Sequence, residues 1–213
     1  MITLWGRASS SNVQMVHWAL LEFGVPFDRI DAGEGFGGLD SPEFLAMNPH
    51  GKIPVLQDGA LTLFESCAIL RYLAGAYGPQ DAWPIDPAQR AVVDQWAEWA
   101  KQGPSNRFTG PIFWRVVRTP AARRDPAAIA GAIQRFETEL RIAEDRLTEH
   151  AWLCGDRMTI GDMILGHVLF RYYDIDISRQ DFPAVRAFYE NLTSRSAYQQ
   201  AVMLPYDELR DTI

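Results

Sequence analysis

The chain has 213 residues, 47% of them hydrophobic, and a net charge of -7. That length holds one large domain or two small ones with ample core for independent stability. The negative balance and the lack of a basic cluster argue against nucleic acid and anionic membrane surfaces as main partners. The longest apolar runs are too short to span a bilayer, and the segment from Met1 to Arg7 lacks the charged lead and long apolar stretch of a signal peptide, so a cytoplasmic protein is expected. The two cysteines, Cys67 and Cys154, lie far apart with no CxxC spacing and read as small buried residues rather than a disulfide. The four histidines, His17, His50, His150 and His167, show no ligand spacing, so no metal is expected.

In chain order, Ile2 to Trp5 reads as a short strand. The polar loop from Gly6 to Asn12 then ends in good N-caps and introduces a helix marked by Val13, Val16, Leu20 and Phe23. Gly24-Val25-Pro26 stops that helix before a second strand, Phe27 to Ile30. Asp31 to Gly38, with four glycines, is a loop, and Ser41 to Met47 is a short helix with Ser as cap and Pro in its first turn. Two apolar runs, Ile53 to Leu56 and Ala60 to Phe64, flank Asp58-Gly59, a pair suited to a tight two-residue turn, and a helix follows from Glu65-Ser66. The order is βαβ, a short helix, then ββα, with the first two strands parallel by a right-handed crossover.

Gly78 to Pro87, dense in Pro, Gly and Asp, is the linker candidate, giving units at 1–78 and 88–213 with residues 79–87 between them. Beyond it helical periodicity dominates, over Ala88 to Ala100 and Pro126 to Glu149. Between those helices, Phe108 to Val117 is rich in aromatics and reads mostly as core filling. Thr159-Ile160-Gly161-Asp162 has the spacing of a capping box ahead of a very apolar helix, and a last helix spans Pro183 to Ser194. The fold class is a sheet-containing α/β unit followed by an all-helical one.

The helix start at Glu65-Ser66 offers unpaired N–H groups, a partial positive charge and a hydroxyl. It suits a carboxylate, while Glu65 suits an ammonium group. Together they fit a zwitterionic amino-acid head group; the competing reading is that both residues merely cap the helix.

The residues resemble the soluble glutathione transferases over essentially the whole chain. The resemblance rests on Asn48-Pro49-x-Gly51-Lys52-Ile53-Pro54-Val55-Leu56, on Glu65-Ser66-x-Ala68-Ile69-Leu70-x-Tyr72-Leu73, and on Thr159-x-x-Asp162. It implies a thioredoxin-like N-terminal domain that binds glutathione and an all-helical C-terminal domain that forms the electrophile pocket. Pro54 would be cis, Ile53 would pair its backbone with the cysteinyl unit, and Glu65 and Ser66 would hold the γ-glutamyl end. Lys52 or His50 would approach the glycyl carboxylate, His50 being equally a solvated loop residue.

Counting back from Gly24-Val25-Pro26 puts Ser10 at the thiol-activating position, with Ser9, Ser11 and Asn12 beside it; a plain helix cap is the alternative for this run. A hydrogen bond to a charged acceptor contributes roughly 1.5–3 kcal/mol, enough to lower a thiol pKa by about one to two units. The loop holds no cysteine, which argues against chemistry through a protein mixed disulfide.

Leu4-Trp5-Gly6-Arg7 and the stretch from Phe113 to Pro120 are most similar to bacterial theta-like or nu-like members, of serine type. Arg7, Phe113, Trp114 and Arg115, with Arg118 as a further polar candidate, would then border the electrophile pocket. There Trp114 would supply an apolar wall and an Arg could hold an anionic substrate or a leaving group; surface salt bridges are the alternative for the arginines. The resemblance implies a homodimeric detoxifying transferase that uses glutathione as co-substrate to attack a small hydrophobic or halogenated electrophile. Two alternatives on the same fold are a glutathione-dependent peroxidase or adduct reductase and a non-catalytic glutathione-binding carrier.

Overall fold

The computed structural model describes all residues from Met1 to Ile213. Its first unit runs β1 (Ile2–Trp5), α1 (Ser11–Glu22), β2 (Phe27–Ile30), α2 (Pro42–Met47), β3 (Val55–Asp58), β4 (Leu61–Phe64) and α3 (Ser66–Ala76). The sheet order is β2-β1-β3-β4, with β1 and β2 parallel and the other pairs antiparallel. In the hairpin Asp58 pairs with Leu61, so the two turn residues are Gly59 and Ala60, one position later than the Asp58-Gly59 turn read from sequence. Gly59 takes φ 57°, and placing glycine first in the turn puts the left-handed backbone where no Cβ resists it.

Gly6 closes β1 with φ 142°; a Cβ there would lie 2.5 Å from Val13 Cγ2 and 3.1 Å from Ile53 Cβ. Its missing side chain lets the strand, the start of α1 and the loop before β3 converge on one point. That convergence is what brings the serine loop and the Ile53-Pro54 loop together.

The second unit opens with α4 (Pro87–Ala100), capped by the Asp86 carboxylate, which accepts from Ala88 N–H at 3.1 Å and Gln89 N–H at 2.9 Å. The chain then stays helical through a wide π-helical stretch (Lys101–Ser105), one α-turn (α5, Asn106–Phe108) and a second π-helical stretch (Thr109–Arg118). The remaining α-helices are α6 (Pro126–Glu149), α7 (Ile160–Asp174), α8 (Pro183–Thr193) and α9 (Ser196–Ala201), so the helix expected from sequence to be the last is followed by one more.

The Asp162 carboxylate, fully buried, accepts from Thr159 N–H at 2.7 Å, Thr159 hydroxyl at 2.9 Å and Leu153 N–H at 2.8 Å. It thereby ties the 151–159 loop to the start of α7. One continuous core spans both units. Trp18 of α1 meets Tyr198 of α9 edge-to-face at 4.9 Å, and Tyr198 donates its hydroxyl to Gly166 O at 2.9 Å. A Cβ at Gly166 would lie 3.3 Å from Trp18 and 2.5 Å from Leu192, so glycine sets the spacing of α7 against α1 and α8. Cys67 and Cys154 are free and half-buried rather than fully buried, and burial raises both thiols above their ordinary range. No helix is long and apolar enough to cross a membrane.

Candidate active site

The loop after β1 is pinned by Arg7 N–H donating to Ala32 O and Ser10 N–H donating to Arg7 O, both at 3.2 Å. Ser10 is the N-cap of α1 with extended backbone, φ -74° and ψ 121°, yet its side chain makes no capping hydrogen bond. Its hydroxyl is left free for another partner beside the positive end of α1. Ser9 is buried, and its carbonyl accepts from Arg171 Nη2 at 2.7 Å. Asn12 Oδ1 accepts from Lys101 Nζ at 2.9 Å, which clips the start of α1 to the first π-helical stretch.

Ser9, Ser10, Ser11 and Asn12 all face one cleft of about 210 Å³ between the two units. Arg7, Phe113 and Trp114 line it too, Phe113 buried and Trp114 44% exposed. Of the two arginines expected there from sequence, Arg118 stands in the cleft, whereas Arg115 is exposed and lies outside the lining. The helix type explains the difference. Thr109, Phe113, Trp114 and Arg118 fall on one face because the i→i+5 turns of a π-helix, such as Thr119 N–H donating to Trp114 O at 2.9 Å, widen the repeat.

The second group of predicted residues sits on the loop and turn flanking the hairpin, and none of it lines the cleft. Asn48, buried, donates Nδ2 to Lys52 O at 2.7 Å and accepts from His50 N–H at 3.0 Å, holding the 48–52 loop. The Ile53-Pro54 bond is cis. The His50 and Lys52 side chains are exposed, His50 at 6.1 Å from the Phe64 ring. Ser66 is buried at the first position of α3. Glu65 precedes it with φ 68° and ψ 111°, a backbone that side-chain-bearing residues rarely adopt, and its carboxylate makes no hydrogen bond or ion pair within the chain. Strain of this kind persists where the surroundings impose it and gathers at ligand sites.

Sequence reasoning missed three charged groups. Lys101 and Arg171 line the cleft, and Glu34, on the glycine-rich loop, accepts from Arg7 Nη2 at 3.1 Å and pairs with Arg118 on its other oxygen. Arg171 is 3% exposed and lies over the Phe113 ring at 4.4 Å from its centroid; burial pushes its pKa down to about 10. Nothing in the local pattern of α7 separates it from the other arginines, since only tertiary packing brings it to Ser9. His167 is buried on the same helix with Nε2 unpartnered, and burial lowers its pKa to about 3. It does not line the cleft, nor does His17. No group of three or more His, Cys, Asp or Glu side chains could hold a metal ion.

Residues 1–75 match the glutathione S-transferase N-terminal domain and residues 126–191 the glutathione S-transferase C-terminal domain. The chain is 38% identical over 207 residues to glutathione S-transferase GstB of Escherichia coli K12, covering 96% of this chain and 99% of that protein. It is 30% identical over 216 residues to the probable glutathione S-transferase GSTF1 of Oryza sativa subsp. japonica, covering 96% and 97%. Among solved structures, the theta class glutathione S-transferase of Xanthomonas axonopodis pv. citri with glutathione bound superposes with a TM-score of 0.90 at 43% identity, covering 96% of this chain and 98% of that one. The chain belongs to the glutathione S-transferase family. Its reaction is the transfer of a glutathionyl group, and its co-substrate is glutathione.

Proposed function

We propose that the Ser10 hydroxyl donates to the thiolate of bound glutathione and that the cleft holds the electrophile it attacks. The observation that carries this reading is the N-cap serine whose hydroxyl makes no capping bond although it faces the cleft. A free thiol with a pKa near ~8.5 is mostly protonated at pH 7, and a helix N-terminus with a hydroxyl donor favours the anion. Ser9, Ser11 and Asn12 complete the rim, Asn12 with its carbonyl oxygen already engaged by Lys101. The geometry supports a serine-type enzyme.

In the same reading residues 1–78 carry the glutathione seat and residues 88–213 most of the electrophile pocket, with 79–87 as linker. Ile53 and Pro54 present backbone to the cysteinyl unit, and Glu65 holds the γ-glutamyl ammonium while Ser66 holds its carboxylate. Lys52 and His50 lie toward the glycyl carboxylate. The unpaired Glu65 carboxylate and the exposed Lys52 support these roles. The reaction joins the glutathione sulfur to an electrophilic carbon of a small hydrophobic or halogenated substrate; in substitution the leaving group departs with the electrons of the broken bond.

The enzyme works in the cytoplasm as a homodimer. Leu61 of β4 and Val92 of α4, 40% and 47% exposed, are apolar surface that a second copy would cover. Light scattering at micromolar protein concentration tests the dimer.

Ser10→Ala tests the main assignment. Glutathione binding by calorimetry is expected to persist, while the bound thiolate, followed by ultraviolet absorbance, titrates about one to two units higher than in the wild type. An unshifted midpoint would remove Ser10 from the role. Absence of binding to the wild type would remove the glutathione seat itself.

A further inference from the structure

The cleft is cationic although the protein carries a net charge of -7. Arg7, Lys101, Arg118 and Arg171 line it, and no Asp or Glu does. Glu34 is the one carboxylate paired with any of the four, shared between Arg7 and Arg118. Lys101 forms no ion pair and is held by Asn12. Arg171 forms none either: one Nη donates to the Ser9 carbonyl, the guanidinium lies over Phe113 and Tyr206, and its Nε has no partner. The Nε of Arg7 is likewise buried without a partner.

A buried cation without a counter-charge is costly, and like charges gathered round one space raise that cost. Burial first, and then the charge of Arg7, depresses the Arg171 guanidinium against the raising effect of Tyr206 and Glu208. Burial also depresses that of Arg7, with Arg118 adding to it and Glu34 and Glu208 opposing it. Such an arrangement is relieved by an anion that brings its own charge into the space and accepts the orphaned N–H groups.

We infer that the cleft takes small electrophiles carrying a carboxylate, seated among the guanidinium groups of Arg171, Arg118 and Arg7 with the reacting carbon turned toward Ser10. The inference rests on the glutathione seat proposed above, which places both carboxylates of glutathione on residues that do not line the cleft and so leaves these cations unclaimed. Phe113 and Trp114 supply an apolar wall for the body of the substrate. In substitution on an aryl chloride, the sulfur–carbon bond forms and the carbon–chlorine bond breaks. Chloride leaves with the bonding pair, and the thiol proton passes to solvent when the thiolate forms.

The test compares 4-chloro-3-nitrobenzoate with its neutral isostere 4-chloro-3-nitrobenzamide, each kcat/KM divided by the rate constant for free glutathione. It also compares binding of the unreactive pair 3-nitrobenzoate and 3-nitrobenzamide to wild-type protein saturated with S-methylglutathione. The acid is expected to be preferred by about tenfold or more in both measurements, and the preference should shrink as salt is raised. In Arg118→Gln it should fall to within about threefold, with S-methylglutathione binding as the check that the variant is folded. Equal or weaker binding of the acid to the loaded wild-type protein overturns the anionic cleft and leaves the transferase reading standing. Failure of S-methylglutathione to bind the wild type overturns the glutathione seat, and this inference with it.

Discussion

At the residue scale, Glu65 separates what the fold needs from what the ligand needs. Its φ of 68° is strained for a residue with a Cβ, and its carboxylate makes no bond within the chain. A glycine would relieve strain on the order of 1–3 kcal/mol while adding unfolded-state entropy of roughly 0.5–1 kcal/mol. Glu65→Gly is therefore expected to leave stability to urea within about 1 kcal/mol of the wild type, or above it, and to weaken glutathione binding by about tenfold or more. Loss of stability with binding intact would make Glu65 a structural residue only. Ser10 follows a similar logic from the other side, because a cap residue that makes no capping bond contributes little to α1 and is left for the sulfur.

At the element scale, the start of α7 depends on one carboxylate. Asp162 collects two backbone N–H groups and one hydroxyl in a fully buried place. Asp162→Asn keeps the volume but turns an amide N–H₂ toward groups that donate, so at least one buried donor loses its acceptor. The expected cost is about 1–3 kcal/mol in urea unfolding at pH 7, with the 151–159 loop becoming more open to proteolysis. An unchanged midpoint would show that the loop is held by other contacts.

That box was legible in the sequence, as were the element order and the free serines, because each is written within a few neighbouring residues. The strands and apolar periods of residues 1–76 follow local rules, and the slips are small: β3 starts at Val55 rather than in the run from Ile53, and the turn at Gly59-Ala60 is a one-residue change of register. The cleft was legible only in part. Ser9 to Asn12, Arg7, Phe113, Trp114 and Arg118 were found, whereas Arg115 was expected beside them and falls outside, because π-helical turns carry no sequence period of the ordinary kind. Arg171 meets Ser9 across 162 positions, and Glu34 reaches Arg7 across 27 from a glycine-rich loop. Contacts of that range are set by how α7 and the loop pack, which no local pattern records.

At the scale of the whole molecule, buried titratable groups set how stability responds to acid. Burial holds His17 near a pKa of about 4 and His167 near about 3, below the ordinary imidazole value of 6.5. Between those values the unfolded chain binds protons that the folded chain does not, so stability falls as pH drops from about 6.5 toward 4. Asp162 acts the other way. Burial raises its pKa from 3.8 to about 6, so in that window the folded chain holds a proton that the unfolded chain has released, and stability gains as pH falls. Two histidine protons against one carboxyl proton leave a net uptake of about one on unfolding near pH 5, or roughly 1.4 kcal/mol per pH unit, less where His17 is in contact with solvent. Urea unfolding at pH 7, 6 and 5 is expected to show stability declining with acid at about that slope below pH 6, and declining more steeply in Asp162→Asn, where only the histidines act. A slope of zero in both proteins would mean that His17 and His167 take up protons without unfolding. The core shared between the sheet and α7 would then be more open to water than its packing around Trp18 and Gly166 implies.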